Sequence, residues 1–251
     1  MKATFPMLLI FCLFGIGSAW MGITSGTAEV RQEEATPIQV GIMSEKQRAH
    51  SRLYDNYKTN RKLDALPLPR ENDKGLEHGV YIEPGTPIIS SDAPVLSFEG
   101  FLRDTACASD AVAVVDVKDK SSQLTENREF IFTDYTAVVQ EVFKNNAVAL
   151  LRTGSRITVT RPGGKVQING RVINALDSSF KLLKKEKRYL LFLKHIPGED
   201  GYQSIRKGSF QIEDNELIAL TEEFLPGGRN DTRPFTITAR TRGVLSCLRK
   251  R

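Results

Sequence analysis

Groups that carry chemistry are scarce in this chain, which has three cysteines, three histidines and one tryptophan in 251 residues. Zinc sites are built from closely spaced cysteine and histidine ligands. Here Cys12, Cys107 and Cys247 are far apart and His50, His78 and His195 are scattered, so no metal site is expected. No GxSxG elbow is present to set a serine before a histidine base, and nucleophilic hydrolysis has no visible machinery. The run Gly163-Gly164-Lys165 lacks the GxxxxGKS/T spacing and the following helix of a phosphate loop, and no cofactor is expected. Asp110, Asp116 and Asp134 are not set by spacing as a carboxylate pair for glycoside chemistry, and His195 reads as a strand-terminal residue facing solvent. The expectation is a protein that is not an enzyme.

The apolar run at the N-terminus, Met7 to Phe14, is shorter than the roughly 20 residues that span a bilayer. Lys2 precedes it, and small residues follow at Gly17-Ser18-Ala19 and Gly26-Thr27-Ala28, the pattern of a signal peptide over 1–28 cut near 19 or 28. A secreted or periplasmic address follows. The alternative is a membrane anchor formed by an uncleaved N-terminal segment extended through Ile23. Cys12 lies inside the apolar run and reads as a passive hydrophobic residue. Cleavage leaves Cys107 and Cys247 in an oxidising compartment, where a disulfide between them is expected, with two free thiols as the alternative. Closing so long a loop stabilises by about 5 kcal/mol in the loop-entropy account.

Charge of one sign is also in short supply. The net charge of +5 falls to about +4 when Lys2 leaves with the signal, a surplus that aids solubility and implies no nucleic-acid partner. The basic runs Lys184 to Arg188 and Arg249 to Arg251 have no interleaved aromatic platform for bases and read as solvated surface.

Residues 29–93 are polar, with prolines at 37, 67, 69, 84 and 87, and read as a flexible linker. A helix over 43–57 is the exception, because Ser44-Glu45-Lys46-Gln47 has the chemistry of an N-terminal cap. Residues 94–251 form the folded domain. Apolar and polar residues alternate through Arg156 to Thr160 and Lys165 to Ile168, each a strand with one face to a core. Arg161-Pro162-Gly163-Gly164 predicts a hairpin turn between them, and Asn169-Gly170 a second reversal into Arg171-Val172-Ile173. Ala111 to Val115 and Ser209 to Ile212 are further strands, and Tyr189 to Leu193 reads as one covered on both faces. The long segment from Glu129 to Phe143 changes parity, which predicts a bulge near Thr133-Asp134 or burial on both sides. A short helix is expected within 215–225, then a break at Pro226-Gly227-Gly228, then a C-terminal helix from Phe235 to Leu248 carrying Cys247. Asn230-Asp231-Thr232 is a glycosylation sequon only in a eukaryotic pathway.

The order of Cys107, a valine-rich strand from Ala111, a long strand ending Glu141-Val142-Phe143-Lys144, a short alternating strand after Gly154-Ser155, the strand Tyr189 to Phe192 and a final cysteine resembles the netrin-type module of the tissue inhibitors of metalloproteinases. Phe130 to Tyr135 and Thr160 to Gly164 are similar to runs in secreted proteins of environmental bacteria. The resemblance covers Cys107 to Cys247. It implies a mainly β fold, a five-stranded OB-like barrel with a C-terminal helix. The family's protease-chelating N-terminal cysteine has no counterpart, since Cys107 lies far inside the chain. The expected function is a secreted or envelope-associated binding module for a protein or glycan, acting as a monomer without nucleic acid or small-molecule cofactor. Membrane contact is expected only through an uncleaved signal segment or the basic C-terminus. A hydrolase with an unrecognised site, or an inhibitor-like protein without the cysteine wedge, is the alternative.

Overall fold

A computed structural model describes residues 36–37, 44–63, 66, 77–82, 98–148, 150–168, 171–176, 181–214, 216–220, 235–236 and 239–247. The signal segment, residues 83–97, the run at Pro226 and the sequon lie outside the described residues. In chain order the elements are β1 (Thr36–Pro37), α1 (Glu45–Arg52), β2 (Glu77–Tyr81), α2 (Phe98–Ala108), β3 (Ala111–Leu124), β4 (Ile131–Lys144), β5 (Arg156–Pro162), β6 (Gly164–Ile168), β7 (Arg171–Leu176), β8 (Arg188–His195), β9 (Gly201–Glu213), β10 (Glu216–Ala219), β11 (Phe235–Thr236) and α3 (Ala239–Leu245). The fold is mainly β, in two sheets.

Five strands close into a ring: β3 pairs β4, β4 pairs β5, β5 pairs β9 in parallel, β9 pairs β8, and β8 returns to β3. Alternation dictates the two faces. Ala111, Ala113, Val115 and Val117 point into the ring with Tyr135, Ala137, Val139, Tyr189, Leu191 and Leu193. The intervening Val112 and Val114 point outward with Leu190 and Phe192, where Leu102 and Ala106 of α2 and Val244 and Leu245 of α3 cover them. Tyr189 to Leu193 are all fully buried, the doubly covered strand that unbroken apolar sequence predicts.

The two helices are fastened at their ends. Cys107 and Cys247 form a disulfide with Cα atoms 5.1 Å apart. Lys144 donates its ammonium to the carbonyls of Ala106 (2.7 Å), Cys107 (3.1 Å) and Ser109 (2.6 Å), satisfying acceptors that the end of α2 leaves open. The C-terminal helix is shorter than expected, because Phe235–Thr236 instead pairs β10 as a strand and Cys247 lies beyond α3 in a left-handed conformation (φ 55°). Residues 216–219 are likewise strand rather than helix, since Leu217 reaches the apolar layer by pairing with β9.

The second sheet has the order β1-β6-β7-β2. Asn169-Gly170 lies outside the described residues, and the strands before and after it, β6 and β7, pair antiparallel with Ile168 opposite Arg171. Pro162-Gly163-Gly164 does not make the predicted hairpin: β5 belongs to the ring sheet and β6 to the second sheet, so the run is a corner between sheets. Glycine is required there. Gly163 has φ 86°, and a Cβ at Gly164 (φ 149°) would meet the Thr133 hydroxyl at 2.3 Å and the Ser122 hydroxyl at 2.6 Å.

No register shift occurs at Thr133–Asp134, where β4 pairs β3 continuously from Ile131 to Thr136. The irregularities lie further along, opposite Val112/Ala113, Val114/Val115 and Val117/Asp119. The parity change has the other cause foreseen, burial on both sides: Tyr135 faces the ring core, while Phe130 and Phe132 face a second core with Val80, Val166, Ile173 and Ala175. Much of that second core comes from the segment expected to be a flexible linker. Tyr54, Tyr57 and Leu63 are buried in it, and β2 pairs β7 in parallel.

Candidate functional site

The helix at 43–57 is confirmed in its first half. Ser44 accepts from the Gln47 backbone at 3.2 Å, and the Gln47 side chain accepts from the Ser44 backbone at 2.8 Å, a complete capping box. Eight residues are too few to hold a helix in water alone, so tertiary contacts must hold α1. Most of them are polar. The His50 ring meets Asp134 of β4 (Nδ1 to Oδ1, 2.9 Å), and Gln123 of β3 donates to the other carboxylate oxygen at 3.0 Å. Ser51 accepts from the Glu126 backbone at 2.8 Å, and Lys46 donates to Thr158 at 2.9 Å. One turn on, the Tyr54 hydroxyl donates to Thr160 at 3.3 Å, while its ring stacks on Phe130 and Phe132 at 5.8 and 5.4 Å.

A histidine oriented by a carboxylate is half of a general-base arrangement. A carboxylate only accepts, so Nδ1 donates to Asp134, and the other ring nitrogen is Nε2. That nitrogen is buried and unpartnered, and Gly201 closes over it so tightly that a Cβ there would lie 2.9 Å away. Among the described residues no hydroxyl or thiol is bonded to it. The pair therefore acts in this conformation as a clasp between α1 and the ring. Two neighbouring phenols are equally closed: burial pushes the Tyr54 hydroxyl far up, and burial, partly offset by Arg161, pushes Tyr135 up to about 12. Neither supplies a phenolate near neutral pH.

Sequence reasoning missed this site because His50 and Asp134 are 84 positions apart. The remaining carboxylates also have structural partners. Burial would raise Asp110, but the His195 backbone N–H, the Lys194 ammonium and the Asn146 amide outweigh it and hold its carboxyl below the ordinary range. His195 stands at the end of β8 as expected, half-buried against the Tyr202 ring at 5.6 Å. Asp116 accepts from Arg188 at 2.9 Å, and Lys118 pairs Glu186 at 3.1 Å. These pairs line an open cleft of about 370 Å³ with Lys187, Ile212 and Asp214. Charges of both signs meet there, so the basic run 184–188 is largely balanced in place. The side chain of His78 is not among those described, and no group of three metal-ligating side chains occurs among the described residues.

The second sheet presents a different surface. Tyr81 (64% exposed) and Leu176 (40% exposed) stand opposite each other in register on its outward face. In the parallel pair, the Ile82 N–H donates to the Leu176 carbonyl at 2.9 Å, so His78, Val80 and Ile82 direct their backbone groups to β7. Glu77, Gly79 and Tyr81 direct theirs away from it. Asn60 takes up both backbone groups of Tyr81, its own N–H reaching the carbonyl at 2.9 Å and its side chain the amide at 3.0 Å. Gly79 is exposed and has open space where a Cβ would stand. Beside this end of β2, Lys58, Arg61 and Lys62 are exposed, with no ion pair among the described residues.

No protein-family model matches the chain, and no curated protein matches it.

Proposed function

We propose that this chain is a secreted or envelope-associated binding module, not an enzyme, built on an OB-like barrel of the netrin type and acting on a protein or glycan as a monomer. The observation that carries the reading is the placement of its polar chemistry. His50, Asp134 and Asp110 spend their hydrogen bonds joining elements of the fold, while large apolar side chains stand exposed on a sheet face. An apolar pair on a rigid sheet suits contact with a macromolecule. Crosslinking the purified chain into envelope extract should give a saturable adduct that excess unlabelled chain competes away. The absence of any competed adduct would remove the reading.

A hydrolase reading has one observation in its favour, the carboxylate-oriented imidazole of His50. It requires α1 to lift, because Nε2 is closed off by Gly201. Turnover in a broad ester, amide and glycoside panel that disappears in His50→Gln would establish it.

A further inference from the structure

We infer that the loop joining β4 to β5 is a membrane contact, which seats Val148 and Leu150 in the surface of a bilayer of anionic phospholipid. Such a contact fixes where the chain is held and lies beyond the binding-module reading, which concerns what it binds.

The loop is fixed at its base and apolar at its tip. Leu151 turns inward to the ring core, and Asn145 takes up both of its backbone groups, donating to the carbonyl at 2.8 Å and accepting from the N–H at 3.1 Å. Asn146 donates to Asp110 at 2.9 Å and accepts from the Val148 N–H at 3.1 Å. Beyond these clamps Val148 is 61% exposed and Leu150 71% exposed. Loop tips in water are ordinarily polar, so two large aliphatic side chains held out from a fixed base call for a cover.

Charge at the tip is of one sign. From Asn145 to Arg156 the sequence has no acidic residue, and Arg152 and Arg156 flank the turn in which the Ser155 N–H donates to the Arg152 carbonyl at 3.0 Å. Both arginines are exposed, with no ion pair among the described residues. At the base, Lys194 balances Asp110 at 3.2 Å, while Lys144 is bonded to carbonyls that leave its charge in place. Anionic headgroups attract such cations, and the acyl boundary accepts aliphatic side chains. A partner protein fits less well. The apolar anchors of protein interfaces are mostly Trp and Tyr, with Leu and Val under-represented, and this loop has no aromatic residue. Unpartnered amides are costly against a bilayer, and the asparagine side chains already answer those of Val148 and Leu151.

The apolar N-terminal run of the full chain can hold a vesicle by itself, so the test reads the loop directly. In the full chain, Trp20→Phe with Leu150→Trp places the sole tryptophan at the tip. On vesicles of phosphatidylglycerol and phosphatidylcholine its emission should shift to the blue and be quenched by brominated acyl chains. Trp20→Phe with Tyr81→Trp, on the second sheet, should show neither change. Adding Arg152→Gln and Arg156→Gln to the tip reporter should raise the lipid needed for half-quenching about tenfold, as should vesicles of phosphatidylcholine alone. Trp20→Phe with Val148→Trp is an independent reporter of the same tip, and circular dichroism should be unchanged in all of these variants. An unquenched tip in both reporters, equal quenching at the tip and on the second sheet, or quenching indifferent to the two arginines and to headgroup charge would overturn the inference. So would a tip tryptophan that is shielded by lipid-free envelope protein but not by vesicles, the result that a partner protein predicts.

Discussion

The ring and the second sheet bury comparable cores by different means. Inside the ring, alternate residues of neighbouring strands meet in an interior of aliphatic side chains with Tyr135, Tyr189 and Tyr202 among them, and α2 and α3 seal the outside with apolar side chains and a disulfide. The second core is assembled from chain parts far apart in sequence and joined by directional contacts, the His50–Asp134 clasp, the Tyr54 stack and the parallel pairing of β2. Non-directional burial makes a scaffold; directional contacts make a segment that is docked on it in one register.

The largest expected effect strikes the second core. Phe132→Ala removes the ring on which Tyr54 stacks and should lower stability by about 3–5 kcal/mol in urea unfolding. Hydrogen exchange in that variant should quicken first in α1 and β2, and equal quickening in β3 and β8 would erase the contrast between the two regions. Next comes the staple of the other side. Replacing Cys107 and Cys247 together by serine should cost about 2–4 kcal/mol, with the exchange change centred on α2 and α3. Asp134→Ala strands His50 without its acceptor and should cost about 1–3 kcal/mol. A double-mutant cycle with His50→Ala should return a coupling of at least about 0.5 kcal/mol, and additivity would mean the clasp holds nothing.

Asp110 provides a pH-dependent contrast. Its folded carboxyl titrates below its ordinary range, so the folded chain takes up this proton at lower pH than the unfolded chain does. Its stabilisation is present above the unfolded value of about 3.9 and is lost as pH falls through the lower folded value. Asp110→Asn should therefore be the less stable chain at neutral pH, with the difference shrinking below about pH 4 in paired thermal melts. The smallest effect belongs to the exposed face: Tyr81→Ser should change stability by no more than about 0.5 kcal/mol.

The ring was the legible part of the sequence. Alternation in Arg156 to Val159 and the unbroken apolar Tyr189 to Leu193 are local signals of burial that the side chains obey, whereas Thr160, expected on the water face, is buried and accepts from Tyr54. Ser44 and Gln47 signalled the helix start because a capping box is written within four residues. The turn at Pro162-Gly163-Gly164 was legible as a reversal but not in its destination, since the same backbone chemistry serves a hairpin and a corner between sheets. β10 was read as helix because Glu216 to Ala219 is too short to show a period, and pairing with β9 decides it. The candidate site was hidden for a related reason. α1 docks through His50 and Ser51 where a sequence reading looks for aliphatic residues, and β2 has a glycine at its centre. Both are strand- or helix-forming only in the company of distant partners.

Residue-resolved hydrogen exchange along β2 tests the central claim, that a distant segment is docked on β7 as a strand whose Gly79 backbone is directed away from the sheet. The amides of His78, Val80 and Ile82 face β7 and should be protected, while that of Gly79 should exchange nearly as fast as an unstructured amide. Protection of Gly79 equal to that of Val80, or no protection at any of the four, would contradict it.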